Sequence, residues 1–228
     1  MIQKSIFQFL GELKENNNKP WFDANKASYE VMKKNYNLLA SQILEKMKEH
    51  DKTLNGLEAK HCVFRIFKDV RFSKDKTPYK TGLGIILTPY GKKMNLAGYY
   101  VHLEDGQSFV GGGLYMPPND LVKKVRSEIQ HFPEDLEKIL KDKNFIKTYN
   151  DIEKNPNIML AKVPKELSPD HPLADYVRLK SFTTGTAYTN EMVFTSHFVD
   201  NVIRDFVTLK PLIHYINRGL MSDEQGAL

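Results

Sequence analysis

The chain has 228 residues, 41% of them hydrophobic and 27% charged, with 33 basic against 28 acidic side chains and a net charge of +5. That balance excludes a disordered or fibrous chain, and a surplus of five positive charges is too mild to imply nucleic acid by itself. A single Cys rules out an internal disulfide, so the chain fits a reducing compartment, with the cytoplasm expected, or is indifferent to compartment.

No apolar run approaches the roughly 18 residues that span a bilayer, and Met1-Ile2-Gln3-Lys4 does not open a signal peptide, so no membrane partner is expected. No internal repeat and no Gly-, Ser- or Pro-rich linker interrupts the chain. Residues 1–228 therefore read as one domain: a helical part over 1–55, a sheet-rich part over 60–115, a mainly helical part over 118–218 and a mobile tail over 221–228.

The first helix is expected over Ile2 to Glu15, with Ser5 as a cap and Ile6, Phe7, Phe9, Leu10 and Leu13 as its apolar residues. Asn16-Asn17-Asn18 breaks it, and Pro20 suits the first turn of the next helix. The apolar stripe of that helix runs Phe22, Tyr29, Met32, Tyr36, Leu39, Ile43, Met47, and it should end near His50. The period then changes. Cys62 to Phe67 and Leu83 to Thr88 read as strands, and Ala97 to Glu104 and Gln107 to Leu114 as two strands joined by Asp105-Gly106, a strong hairpin signal. Beyond them Asn119 is expected to cap a helix bearing Leu121, Val122, Val125 and Ile129, and Pro133 to open a short one through Leu140. Asn150 to Pro172 should be an extended connection, and Tyr176 to Tyr188 a return to the sheet. Thr189 should cap a long final helix, kinked or restarted at Pro211 and stopped at Gly219. The fold class is α+β: an antiparallel sheet of about four or five strands with a central hairpin, and helices packed on it from both ends of the chain.

The densest polar run is Arg65 to Thr81, in which Arg65, Lys68, Arg71, Lys74, Lys76 and Lys80 face only Asp69 and Asp75. Two acids cannot neutralise six bases, and an unpaired cation is costly to bury, so the surplus faces water or a ligand. Arg65, Arg71, Lys76 and Lys80 are the expected anion-binding residues. Arg71, whose planar fork suits a carboxylate or phosphate, is the leading contact, and Asp69 and Asp75 orient the loop. The plainer alternative is a loop whose charges pair locally.

In the hairpin, facing residues share a side of the sheet. Tyr99, Val101, Leu103, Ser108, Val110 and Gly112 make a core face. Tyr100, His102, Glu104, Gln107, Phe109, Gly111 and Gly113 make the other face. Tyr100, Gly111 and Gly112 are expected to border a shallow ligand slot; a bulge, or room for a packed helix, is the alternative for the glycines. His102 and Glu104, same-face neighbours on one strand, are the candidate catalytic pair, because histidine ordinarily titrates near ~6.5. A strand histidine with no role is the alternative. The seven His residues show no i, i+4 pair and Cys62 has no second Cys, so no metal site is expected. No cofactor motif is present, and neither a Walker A loop nor a Gly-x-Ser-x-Gly elbow occurs.

Arg65-x3-Asp69-x-Arg71-Phe72-Ser73-Lys74-Asp75-Lys76-x-Pro78-Tyr79-Lys80-Thr81, with Gly98-Tyr99-Tyr100-Val101-His102-Leu103-Glu104 and Ser108-Phe109-Val110-Gly111-Gly112-Gly113, resembles a family of bacterial and fungal conserved hypothetical proteins, domain of unknown function twenty-four sixty-one. The resemblance also touches Trp21-Phe22 and Lys180-Ser181-Phe182 and so covers nearly the whole chain. It implies one full-length domain and carries no activity, cofactor or catalytic residue with it. The function expected from the residues is a soluble module that binds an anionic small molecule or phosphate-bearing group, with enzymatic action left open. The alternatives are an interaction module for nucleic acid or an acidic protein, the former not favoured by the mild net charge, and a basic motif that is purely structural. The sequence is silent on oligomeric state.

Overall fold

Ile6, Phe9, Leu10 and Leu13 recur at helical spacing, and all four are buried on one face of α1 (Ile2–Glu15). The computed structural model describes residues 2–71, 74–89, 91, 95–165 and 170–222. Asn18 caps α2 (Lys19–Ala24): its side chain accepts from the Trp21 amide at 3.0 Å, and Pro20 sits in the first turn, where its missing N–H costs nothing. The helix expected from Pro20 to His50 is divided at Asn25, whose side-chain amide donates to the Trp21 carbonyl. Beyond that break α3 (Lys26–His50) buries Met32, Tyr36, Leu39, Ile43 and Met47, the expected stripe.

A short helix, α4 (Ala59–Cys62), takes the place of the strand expected to begin at Cys62. Val63 and Phe67 make only isolated bridges, to Ile85 and Tyr79. Cys62 and Ile66 are buried on one side, as a strand would place them, but the stretch pairs only through these single bridges and builds no regular ladder. The regular strands are β1 (Leu83–Leu87), β2 (Gly98–Leu103), β3 (Ser108–Leu114) and β4 (Phe182–Tyr188), antiparallel in the order β1-β2-β3-β4. The protein is an α+β protein with the expected central hairpin.

Between β3 and β4 lie α5 (Asn119–His131), α6 (Pro133–Leu140), α7 (Lys143–Tyr149) and α8 (Ala174–Val177). Asn119 is the first residue of α5 and not its cap, a place taken by Pro118. After β4, Thr189 caps only α9 (Asn190–Phe194), and the chain breaks before α10 (Phe198–Met221). Pro211 lies inside α10 without ending it: Leu209, Leu212 and Ile213 are buried on either side of it. Nor does Gly219 stop the helix. Lys124 caps the later end by donating to the carbonyls of Leu220 and Ser222 at 3.1 and 3.2 Å. Residues 223–228 of the expected tail and 166–169 of the expected connection lie outside the described residues.

The chain divides into two compact units, one of Met1–Gly91, Tyr100–Val110 and Ala187–Arg204, the other of Lys92–Tyr99, Gly111–Thr186 and Asp205–Leu228. In the first, Phe7 meets Phe194 edge-on at 5.1 Å. In the second, Tyr99 packs on Phe206 at 5.1 Å, and the buried Asn217 amide pairs with both the N–H and the carbonyl of Ala97 at 2.8 and 3.1 Å. Among the described residues no helix is long and apolar enough to cross a membrane.

Candidate functional site

All but two of the expected site residues lie in the first unit. The basic run folds back on itself as a narrow ribbon: the Lys80 amide donates to the Ile66 carbonyl at 2.8 Å and the Lys68 amide to the Pro78 carbonyl at 2.9 Å. Asn17 fixes its returning arm by exchanging two hydrogen bonds with the Tyr79 backbone at 3.0 and 3.1 Å, and Phe22 stacks on the Tyr79 ring at 4.2 Å. The ribbon therefore has a set position despite its polarity.

The tip of the ribbon uses its own charges. Both branches of the Arg71 fork donate to Asp69, at 2.9 and 2.6 Å, and Lys68 reaches Asp75 at 2.7 Å and Thr77 at 2.6 Å. Lys76 donates to the Val70 carbonyl at 3.0 Å. Hydrogen bonds from Lys68 and then from Thr77 hold the Asp75 carboxyl far below the usual carboxylate range, and those from Arg71 lower Asp69. Local pairing thus describes the tip, where the Arg71 side chain stays 76% exposed. Phe72 and Ser73 lie outside the described residues.

The base of the ribbon differs. Arg65 is exposed and Lys80 half-buried, with the Lys80 ammonium 5.5 Å from the centre of the Phe64 ring. Burial first, and the Arg65 charge second, push the Lys80 pKa down. Among the described residues neither cation has a carboxylate within ion-pair distance. Phe64 also meets Tyr100 edge-on at 6.3 Å, so Lys80 borders the hairpin face through this ring.

On that face the expected register holds. Tyr100, His102 and Phe109 are in mutual ring contact at 5.2 to 6.1 Å, and Tyr99, Val101, Leu103, Ser108 and Val110 are buried on the opposite side. At the turn Gln107 leaves the strand and its amide donates to the Glu104 carbonyl at 3.1 Å, while Asn190 holds Asp105 and Gly106. Along β2 and just past its end a chain of polar groups forms. The Tyr100 hydroxyl is 3.2 Å from His102 Nδ1, His102 Nε2 is 3.0 Å from Glu104 Oε2, and the Thr81 hydroxyl donates to Glu104 Oε1 at 3.1 Å. Burial raises the Glu104 carboxyl, but the hydrogen bonds from His102 and Thr81 outweigh it and leave its pKa below the usual value. Burial, followed by the Glu104 charge, raises that of Tyr100. The side chains of His102 and Glu104 are each 22% exposed, open enough to meet a ligand.

Two residues of this site escape the sequence reading. A β-carbon on Gly82 would lie 2.8 Å from the His102 ring and 2.9 Å from Glu104 Oε2, and one on Gly84 would collide with the Tyr100 hydroxyl. The signal was present: Gly82 and Gly84 alternate with the period of Tyr100, His102 and Glu104.

Gly111 and Gly112 belong to the second unit. β-Carbons on Gly111 and Gly113 would strike the Thr184 and Phe182 carbonyls, and one on Gly112 would strike the Gly98 carbonyl. These glycines let backbones approach, and the space beside them is occupied by β4, β2 and Leu209 of the second unit. Among the described residues no group of three or more His, Cys, Asp and Glu is placed to hold a metal ion.

The profile of a family described as "Conserved hypothetical protein (DUF2461)" matches residues 5–215. Comparison with curated proteins and with solved structures gives no match.

Proposed function

The chain belongs to this conserved hypothetical family, and we propose that it binds an anionic small molecule, through a phosphate or carboxylate group, at the base of the basic ribbon. Arg65 and Lys80 supply the charge there. Tyr100 and His102 form the adjoining wall. At the tip Lys76 adds long-range attraction, and Arg71 contributes to an anion only by leaving Asp69. The observation that carries the reading is the Arg65–Lys80 pair: two cations close enough for one to depress the other, beside an aromatic ring, with no carboxylate partner among the described residues. An anion between them relieves both the repulsion and the cost of burial. The single, buried Cys62 accords with a cytoplasmic setting.

Calorimetric titration with inorganic phosphate, pyrophosphate and acetate tests this reading. Binding that weakens about tenfold or more in Lys80→Met and Arg65→Met, each losing a charged contact of ~1.5–3 kcal/mol, supports it. Binding indifferent to both substitutions refutes it. Phe67, 45% exposed beside the ribbon, favours a second reading in which the ribbon meets a nucleic-acid strand or an acidic protein. That reading requires affinity for a generic strand that falls steeply with salt.

A further inference from the structure

The hydrogen-bond chain on β2 has a direction, and counting its protons fixes it. Glu104, ionised, can only accept, so the hydrogen between it and His102 belongs to His102 Nε2. In neutral His102 the other nitrogen, Nδ1, is then bare and accepts from the Tyr100 hydroxyl. The Tyr100 oxygen has no second hydrogen. Toward the site it presents lone pairs, which repel an anion. Adding one proton at Nδ1 reverses that bond: His102 donates to Tyr100, and the Tyr100 hydroxyl is released to donate outward. Glu104, Tyr100 and His102 cannot present a donor to an anion without that proton.

We infer that anion binding at this site is coupled to the uptake of one proton by His102, with Tyr100 as the group that turns its hydroxyl onto the ligand. The inference rests on the anion-binding reading and names its regulation: the site is a proton-coupled one, stronger in acid. No bond is broken beyond these hydrogen transfers. The proton comes from solvent, lodges on Nδ1 and returns when the anion leaves.

The surroundings of His102 fit this role. Glu104 and Tyr100 flank it on the same strand, Phe109 of β3 stacks on it at 5.2 Å, and Gly82 gives its ring room. Thr81 neutralises none of the Glu104 charge and only orients it. Lys14 of α1 acts on Glu104 from a distance, Tyr100 acts on Tyr36 of α3, and Lys80, which feels the Arg65 charge, lies over the Phe64 ring that meets Tyr100. The Glu104 carboxylate offsets the imidazolium, and those two cations oppose it until an anion arrives. Proton and anion therefore favour each other.

The test uses sulfate, which does not itself titrate near neutrality. Calorimetry in two buffers of different ionisation enthalpy should give about one proton taken up per sulfate wherever the free protein holds His102 neutral, with affinity falling about tenfold per pH unit there. His102→Gln should abolish both effects. Tyr100→Phe, which keeps the ring contacts, should weaken sulfate about tenfold and remove the uptake. Ring nitrogen NMR of the free protein should find neutral His102 with its hydrogen on Nε2. Sulfate bound without proton uptake and with flat pH dependence overturns the coupling and leaves the binding reading standing. A hydrogen on Nδ1 in neutral His102 also overturns it. No sulfate heat in either acid or alkali overturns the binding reading and the coupling with it.

Discussion

The Tyr100 hydroxyl occupies the space that a side chain at Gly84 would fill. The same carbonyl of Gly84 accepts the buried Tyr36 hydroxyl, which also receives the Phe64 amide at 3.3 Å. One glycine thus seats the polar chain of β2 above and the ribbon entry beside it. Gly84→Ala should leave the fold intact, cost about 1–3 kcal/mol through overpacking and displace Tyr100 from His102. Denaturant unfolding measures the cost, and loss of the Tyr100–His102 hydrogen bond in the His102 ring nitrogen shifts reports the displacement.

Asn17 is the clasp of the ribbon. Asn17→Ala removes two hydrogen bonds to the Tyr79 backbone and should cost about 1–3 kcal/mol locally, since one group on each side loses its partner. Hydrogen exchange should show faster exchange at Tyr79 and Lys80 with α3 unchanged. Uniform acceleration across the first unit would mean that Asn17 supports the whole unit and not the ribbon.

Much of this architecture is legible in the residues because its signals are local. The stripe from Met32 to Met47, Pro20 in the first turn of a helix, and Asp105-Gly106 between alternating strands each depend on neighbours within a few positions. The face that joins Tyr100, His102 and Phe109 follows from the same alternation. What escaped depends on distant partners. The stretch over 63–67 looks like a strand because Val63, Phe64, Ile66 and Phe67 are apolar, yet only its start touches β1, through Val63 and Phe64, before its bonds pass to 78–80 and leave the sheet with four strands. Pro211 reads as a break because a proline lacks the helix donor, but buried residues on both sides carry α10 through it. Arg71 reads as the strongest anion contact on chemistry alone; only the folded tip brings Asp69 onto its fork. Lys80 is one of four expected anion contacts in the sequence, and nothing there sets it above the others, since its burial and its proximity to Arg65 are properties of the fold.

Stability should carry the mark of Glu104 in acid. Its folded pKa lies below the ordinary carboxyl value, so it contributes stability that is present above the unfolded value near ~4.3 and lost as pH falls through the folded one. The melting temperature of Glu104→Gln should therefore lie below that of the wild type at neutral pH. The gap should close as pH falls through that lowered folded value and the wild-type carboxyl is protonated. A gap unchanged into acid would show that Gln at this position costs packing and not charge.

In the second unit Arg218 joins Glu128 and Asp135 while its guanidinium lies 4.6 Å from the centre of the Phe132 ring and 5.4 Å from that of Tyr215. The Glu128 side chain is only 5% exposed, so Arg218→Ala strands a buried carboxylate. The cost should be about 2–3 kcal/mol, tempered because Arg218 itself is partly open to water. The double substitution Arg218→Met with Glu128→Met should recover much of that loss in a denaturant-unfolding series.

The account turns on an anion seated between Arg65 and Lys80, and the Lys80 ammonium is its most direct reporter. Burial and the Arg65 charge lower the Lys80 pKa in the free protein, and a bound anion must raise it. Carbon NMR of Lys80, titrated with and without saturating sulfate, measures both states. The account predicts a pKa below the ordinary lysine value in the free protein and a clear rise with sulfate, absent in Arg65→Met. A Lys80 pKa that sulfate leaves unmoved would contradict it.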